Sequence, residues 1–301
     1  MTFGCGQKHG GAPPPRPKGP LDVEEARTYM LALVNADRQR EGLGTVELQD
    51  VATRAAQRHA DDMATNGFRA HWGTDGSVPE QRYTEAGGEH LVHENVTCFF
   101  DGKQRALEKN PLFLPEELEA AERTYMAEKP PNDGHRLNIL IPKHNRLGVG
   151  LTKAEGLAQV CVSQEFVDEY GEYEPLPKTA RAGARIVVAG RVEKPAVFGG
   201  VGIARGPLPA ELYPSDLNST STYMMPTPYA TYFPKGYVTP REVKLENGRF
   251  SIELVLDRGS GRYAVSVWGR FPEGVGGAAN DKSASSPNEL GMLSLRTILV
   301  R

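Results

Sequence analysis

The stretch NDGHRLNILIPKHNRLGVGL, residues 132–151, decides how the first half of the chain is read. Leu137, Leu140 and Ile141 follow His135 at helical spacing, and Pro142 stops the run. RLGVGLTKAEGLAQVCVSQEF, residues 146–166, then reads as a hairpin whose second strand alternates Val160, Val162 and Phe166 with Cys161 and Ser163. His135 therefore sits in the first turn of a short helix, with Asp133 or Gly134 as the cap. A histidine there can be packing, a cap, a metal ligand or a catalytic base, and the choice depends on which residues converge on it.

Upstream, Asp22 and Glu25 stand in capping-box spacing. Ala26, Met30, Leu33 and Val34 continue a first helix that Gly42 or Gly44 ends. A second helix from Asp50 carries Val51, Ala52, Ala55, Ala56, Ala60 and Met63 on one face and stops at Gly67. The stretch between Phe68 and Phe100 reads as loop-rich and holds His71, His90, His93 and Glu94. A third helix starts near Pro115, with proline in its first turn and acids behind it.

Downstream the character changes. DEYGEYEPLPKTARAG, residues 168–183, is a polar, proline-containing break. After it come alternating segments around Asn247-Gly248, the strongest short hairpin signal, and further strands in ARIVVAGRVE and LSLRTILVR. The expected fold class is α+β. Residues 1–20 read as a flexible tether, 21–168 as a mixed domain, 169–182 as a linker and 183–301 as a small antiparallel β-sandwich. The segment YPSDLNSTSTYMMPTPYATYFPKGYVTP, residues 213–240, is long for a connection and reads as either a binding loop or a solvated insertion.

The 301 residues are 39% hydrophobic and 24% charged, ordinary for a globular protein. A net charge of -3, without a basic stripe, argues against a nucleic-acid surface. No apolar run reaches the roughly 20 residues of a membrane-spanning helix. The three cysteines, Cys5, Cys98 and Cys161, form no CxxC pair, which argues against the usual zinc knuckle. TFGCG around Cys5 resembles the end of a bacterial lipoprotein signal whose earlier part is missing; the other reading is a tail with a spare thiol. Cys98 and Cys161 are expected in or beside one sheet, either bridged or as separate buried thiols.

Four residues of the first domain are candidates for one site: His71, Glu94, Glu128 and His135. Two neutral imidazoles with nearby carboxylates suit Zn²⁺ or another divalent cation, the carboxylates binding directly or through water. His59 reads instead as a packed histidine on a small-residue helix face. His90 and His144 read as loop residues, and Asn95 and Asn138 as structural amides.

The ordered set NADRQREGLG, ATRAAQRHADDMATNGF, His71, HEN, GHRLNIL and RLGVGL resembles the CAP superfamily, or SCP domain, over about residues 21–168. That family includes cysteine-rich secretory proteins, antigen 5 allergens, plant pathogenesis-related proteins and many bacterial exported proteins. The resemblance implies an α-β-α sandwich with a cleft lined by two histidines and two glutamates. Here these fall on His71, Glu94, Glu128 and His135. Three positions depart from the family pattern: His93 replaces a glycine, Trp72 a serine or threonine, and Tyr125 a tryptophan.

The expectation is an exported or lipid-anchored binding module, since members of the family are reported to bind sterols, other lipids or divalent metal. Its second domain would make contacts with the cell envelope or a surface partner. The alternative is a metal-assisted hydrolase or peptidase with Glu94 or Glu128 as general base. Two histidines are one ligand short of the usual catalytic zinc site, which favours binding. A third reading is a structural envelope protein with a vestigial cleft.

Overall fold

The structure, a computed structural model, describes residues 12–220, 222–272 and 290–301. Cys5 and its lipidation reading lie outside the described residues, as does most of the tether.

The first helix, α1 (Val23–Arg40), begins with the expected capping box. The Asp22 side chain accepts from the backbone of Glu24 and Glu25, and Glu25 returns a bond to the Asp22 backbone. After the two-residue strand β1 (Glu47–Leu48) comes α2 (Asp50–Asn66), which ends where Gly67 takes φ 65°. A short helix α3 (Pro79–Glu85) then lies inside the stretch read as loop. Strand β2 (Leu91–Thr97), helices α4 (Pro115–Met126) and α5 (Gly134–Ile139), and the hairpin β3 (Arg146–Lys153) and β4 (Val160–Asp168) follow.

The four strands form a sheet in the order β1-β3-β4-β2, with only the β1–β3 pair parallel. On β3, Leu147, Val149 and Leu151 enter a core with Met30, Val34, Leu118, Tyr125 and Ile139 of α1, α4 and α5. Gly148 and Gly150 face the other way, toward α2. A Cβ on Gly148 would sit 2.2 Å from the Ala52 carbonyl carbon, and one on Gly150 would sit 2.2 Å from the Ala56 oxygen. The small-residue face of α2 and the glycines of RLGVGL are thus two halves of one close approach. Helices cover both faces, giving the expected α-β-α sandwich.

Cys98, just past β2, is disulfide-bonded to Cys161 on β4. The register that puts Thr97 opposite Val162 brings the two together.

The second domain contains β5 (Gly171–Tyr173), β6 (Thr179–Ala180), β7 (Arg185–Val192), β8 (Val197–Gly206), a short helix α6 (Pro214–Leu217) and β9 (Ala230–Tyr232). It continues with β10 (Lys244–Glu246), β11 (Arg249–Val255), β12 (Gly261–Arg270) and β13 (Gly291–Val300). One sheet runs β10-β11-β7-β5 and the other β6-β13-β12-β8-β9. Their facing side chains, including Val188, Ile252, Val201, Val265 and Ile298, share one core. Asn247 and Gly248 both have positive φ, as the two-residue hairpin turn between β10 and β11 demands.

Two stretches play a larger part than their sequence suggested. Residues 169–182, read as a linker, supply β5 and β6 to the sheets of the second domain. The long Tyr/Pro-rich segment lies against the first domain, and its Leu217 is fully buried with Met63, Phe68, Cys98 and Cys161. A second apolar contact between domains joins Leu91 to Ala204, Ala264 and Leu295. This contact explains why β12 and β13 are buried on both faces.

Candidate functional site

The four candidate residues form two imidazole–carboxylate pairs. His71 lies in the loop after α2, and its Nδ1 is 2.9 Å from Glu94 Oε1 on β2. Glu94 Oε2 accepts from Arg82 Nη2 at 2.7 Å and from Ser163 Oγ at 3.4 Å, so both of its oxygens are engaged. The same Arg82 nitrogen also donates to the His71 carbonyl. Burial alone would raise the Glu94 pKa; the Arg82 guanidinium, with the hydrogen bond from His71, overrides it and holds this carboxyl well below the usual range.

The second pair is built around α5. His135 Nδ1 is 2.5 Å from Glu128 Oε1, and Glu128 Oε2 accepts from the backbone N–H of His135 at 2.9 Å and of Arg136 at 3.4 Å. Asp133 occupies the N-cap position without a side-chain cap bond. Glu128 takes over that role, because only a carboxylate reaching in from the preceding loop can meet the free N–H groups and the ring at once. The Tyr125 ring packs against His135 with centroids 4.9 Å apart. Its hydroxyl is buried without a partner. Burial pushes the Tyr125 pKa well up, and the charges of Glu122, Glu94 and Glu128 add to the rise. Tyr125 thus lies within the field of both pairs.

The expected structural amides are found as such. Asn95 donates to the His135 carbonyl and to Gln164 Oε1, each at 3.2 Å, and Asn138 donates to Asn95 Oδ1 at 2.9 Å. His59 is packed, its Nε2 2.8 Å from the Ala70 carbonyl. That bond makes Nε2–H the donor. Burial first, and then the Arg82 charge, push the His59 pKa down to about 4, so the ring is neutral. His93 does not join either pair; its ring lies 5.2 Å from that of His144. His144 is no loop bystander, for it is buried against Asp168 at 2.6 Å.

Sequence reasoning missed Arg82 and the buried carboxyls behind the site. Arg82 sits on α3, and Pro79-Glu80 is the same helix-start signal that marks Pro115-Glu116. Glu165 stands directly opposite Glu94 in the β2–β4 register, fully buried with both oxygens unpartnered. Burial and the Glu94 charge push its pKa well up. A cavity of about 220 Å³, lined by Arg58, Asp62 and Asp75 among others, adjoins His59 and Arg82. His59 Nδ1 and Arg82 Nε are buried and unpartnered, one an acceptor and the other a donor.

As a metal centre, the donor set is limited. Among the described residues no group of three or more His, Cys, Asp and Glu is placed to hold an ion. Both glutamates are spent on orienting rings and satisfying N–H donors. What remains is Nε2 of His71 and of His135, neither hydrogen-bonded within the described residues, on rings that are 19% and 32% exposed. A carboxylate behind Nδ1 is the usual support of a metal-binding imidazole, so each ring is oriented as a ligand would be.

The model of the cysteine-rich secretory protein family, CAP, matches residues 31–166. No curated protein matches the chain. Among solved structures, an extracellular protein containing an SCP domain from Bacillus anthracis str. Ames is similar, with 19% identity and a TM-score of 0.37. That alignment covers 50% of this chain and 45% of the other, so the chain spans less than half of that structure. A chitin binding domain from Burkholderia pseudomallei aligns with 12% identity and a TM-score of 0.23, over 42% of this chain and 57% of that one.

Proposed function

Because residues 31–166 form a CAP domain, we propose that the protein is an extracytoplasmic, non-enzymatic binding module. In this reading His71 and His135 present Nε2 to a shared ligand. That ligand is a divalent cation such as Zn²⁺, alone or together with a small polar molecule that completes its coordination. Bound there, the cation supplies Lewis acidity toward the molecule it captures. His71 and His135 would hold it, and Glu94 and Glu128 would keep both rings oriented with Nδ1 protonated.

The carrying observation is that each imidazole is fixed through Nδ1 by a carboxylate whose oxygens are otherwise engaged. It supports binding over hydrolysis. A general base needs a free carboxylate, whereas Glu94 is clamped by Arg82 and Glu128 is committed to the start of α5. An oxidising location is supported by the Cys98–Cys161 disulfide.

Calorimetric titration of the whole chain with Zn²⁺ at neutral pH tests the reading. His71→Ala and His135→Ala should each weaken binding at least about tenfold, since each removes one of two direct ligands. Equal affinity in wild type and the double variant would return both pairs to a purely structural role.

A further inference from the structure

Helix α3 is seven residues long, and Pro79 to Thr84 are all buried although four of the six are Glu, Gln, Arg and Thr. A run so polar cannot be held by apolar packing alone, and its partners come from both sides. Toward the first domain, Arg82 holds Glu94 and the His71 carbonyl. Toward the second, Tyr223 Oη donates to Glu80 Oε1 at 2.5 Å, and Arg262 Nη1 donates to Gln81 Oε1 at 3.3 Å and to the Gly76 carbonyl at 3.2 Å. The Thr297 backbone N–H donates to Thr84 Oγ1 at 3.2 Å.

The segment carrying Tyr223 is seated on the first domain at several of its described residues. Leu212 N–H donates to the Thr74 carbonyl at 2.8 Å. Ala210 lies so close to Gly76 that a Cβ there would meet its oxygen at 2.3 Å. Asn218 bonds the backbone of Gly67, Arg69 and Phe100. At the end of this seat the Tyr223 ring meets Trp72 edge-on, with centroids 5.2 Å apart, and lies 6.4 Å from the His71 ring.

We propose that the second domain completes the cleft, with Tyr223 as a positioning residue for the His71–Glu94 pair. Its hydroxyl acts through Glu80 and α3 to keep Arg82 on Glu94, and its ring walls the side of His71 beside Trp72. The β-rich domain is then part of the ligand site. The proposal rests on the reading of the cleft as a ligand site, and the experiment separates the two.

The test uses the full chain with Tyr223→Phe, which removes only the hydroxyl, and Tyr223→Ala, which also removes the ring. The readouts are the long-range ¹H–¹⁵N spectra of the His71 and His135 rings without metal, Zn²⁺ affinity, and the melting temperature. The expected result is a changed nitrogen signature at His71 in both variants, with that of His135 unmoved. Zn²⁺ affinity should fall roughly tenfold in Tyr223→Ala and about threefold in Tyr223→Phe, the smaller loss because the hydroxyl acts on the His71 ring only through Glu80 and Arg82.

An unchanged His71 signature in Tyr223→Phe overturns the proposal, as does an equal disturbance of both rings, which marks a general loss of structure. If His71→Ala weakens zinc while both Tyr223 variants bind like wild type, the proposal falls and the cleft reading stands. If His71→Ala binds zinc as wild type does, the cleft reading falls, and the His71 ring signature alone decides the role of Tyr223.

Discussion

Glu94 and Glu128 each hold a histidine by Nδ1, yet the Glu94 side chain is 1% exposed and that of Glu128 is 22% exposed. Glu94 is ionised inside the protein because Arg82, itself buried, stands beside it. Glu128 faces water and owes its place to the backbone N–H groups of α5. The same pair of residue types is therefore a costly internal charge system in one place and an inexpensive helix cap in the other. The buried pair can only be kept by tertiary structure, the exposed one almost by local chain geometry.

The contrast breaks most sharply at Arg82. Arg82→Met leaves an uncompensated charge beside fully buried Glu165 and should cost about 3–5 kcal/mol in urea unfolding at pH 7. Arg82→Met combined with Glu94→Gln should recover part of that loss, because the neutral amide no longer needs a countercharge. A cost for Arg82→Met no larger than that of Glu128→Gln would erase the distinction between the two pairs.

Next in size is the disulfide, which ties β2 to β4 on the sheet face that carries Glu94. Replacing Cys98 and Cys161 together by alanine should cost about 2–4 kcal/mol. Zn²⁺ affinity should change far less, since neither residue touches an imidazole of the cleft. A loss of zinc binding with little loss of stability would show that the bridge supports the site rather than the fold.

The helix face carrying Tyr125 predicts a pH effect. Glu122 is buried beneath it, with Oε2 accepting from Gln164 at 2.7 Å. Burial first, and then nearby Asp37, push its pKa up from 4.5 to about 8. Between those values the folded protein keeps a proton that the unfolded chain has released. Stability from this group is therefore complete below the unfolded pKa and is lost as pH rises through the folded one. The slope is about 1.4 kcal/mol per pH unit over that window. Glu122→Gln should flatten this part of the stability profile measured by denaturant midpoints. A profile as steep in the variant as in the wild type would assign the slope to another group.

The smallest effect is expected at the exposed pair. Glu128→Gln should cost only about 0.5–1 kcal/mol, as befits a partly solvated cap and ion pair. The variant should instead show itself in the ring spectrum of His135. A cost above that of the disulfide would mean that α5 depends on Glu128 for more than its first turn.

The elements with local signals were legible from the chain. The Asp22 capping box, the Gly67 stop, Pro115 and the Asn247-Gly248 turn each act within a few residues, and each stands where its chemistry requires. The hairpin after His135 was legible for the same reason, and the ordered motifs marked His71, Glu94, Glu128 and His135 as candidates. Helix α3 was harder. Its Pro79-Glu80 start was present, but its buried face is polar and gives no apolar period.

What the sequence by itself determined was the set of helices and strands with strong local starts and stops, the change from mixed to β-rich structure, and the candidate residues. Only the tertiary structure decided how those residues pair, that Arg82 keeps Glu94 charged, and that the Tyr/Pro-rich segment lies on the first domain. The physical reason is range. A cap or a turn is settled among neighbours, whereas Arg82 to Glu94, Glu94 to Glu165 and Tyr223 to Glu80 join residues 12, 71 and 143 positions apart. Those contacts exist only once burial has removed the water that would otherwise satisfy each polar group alone.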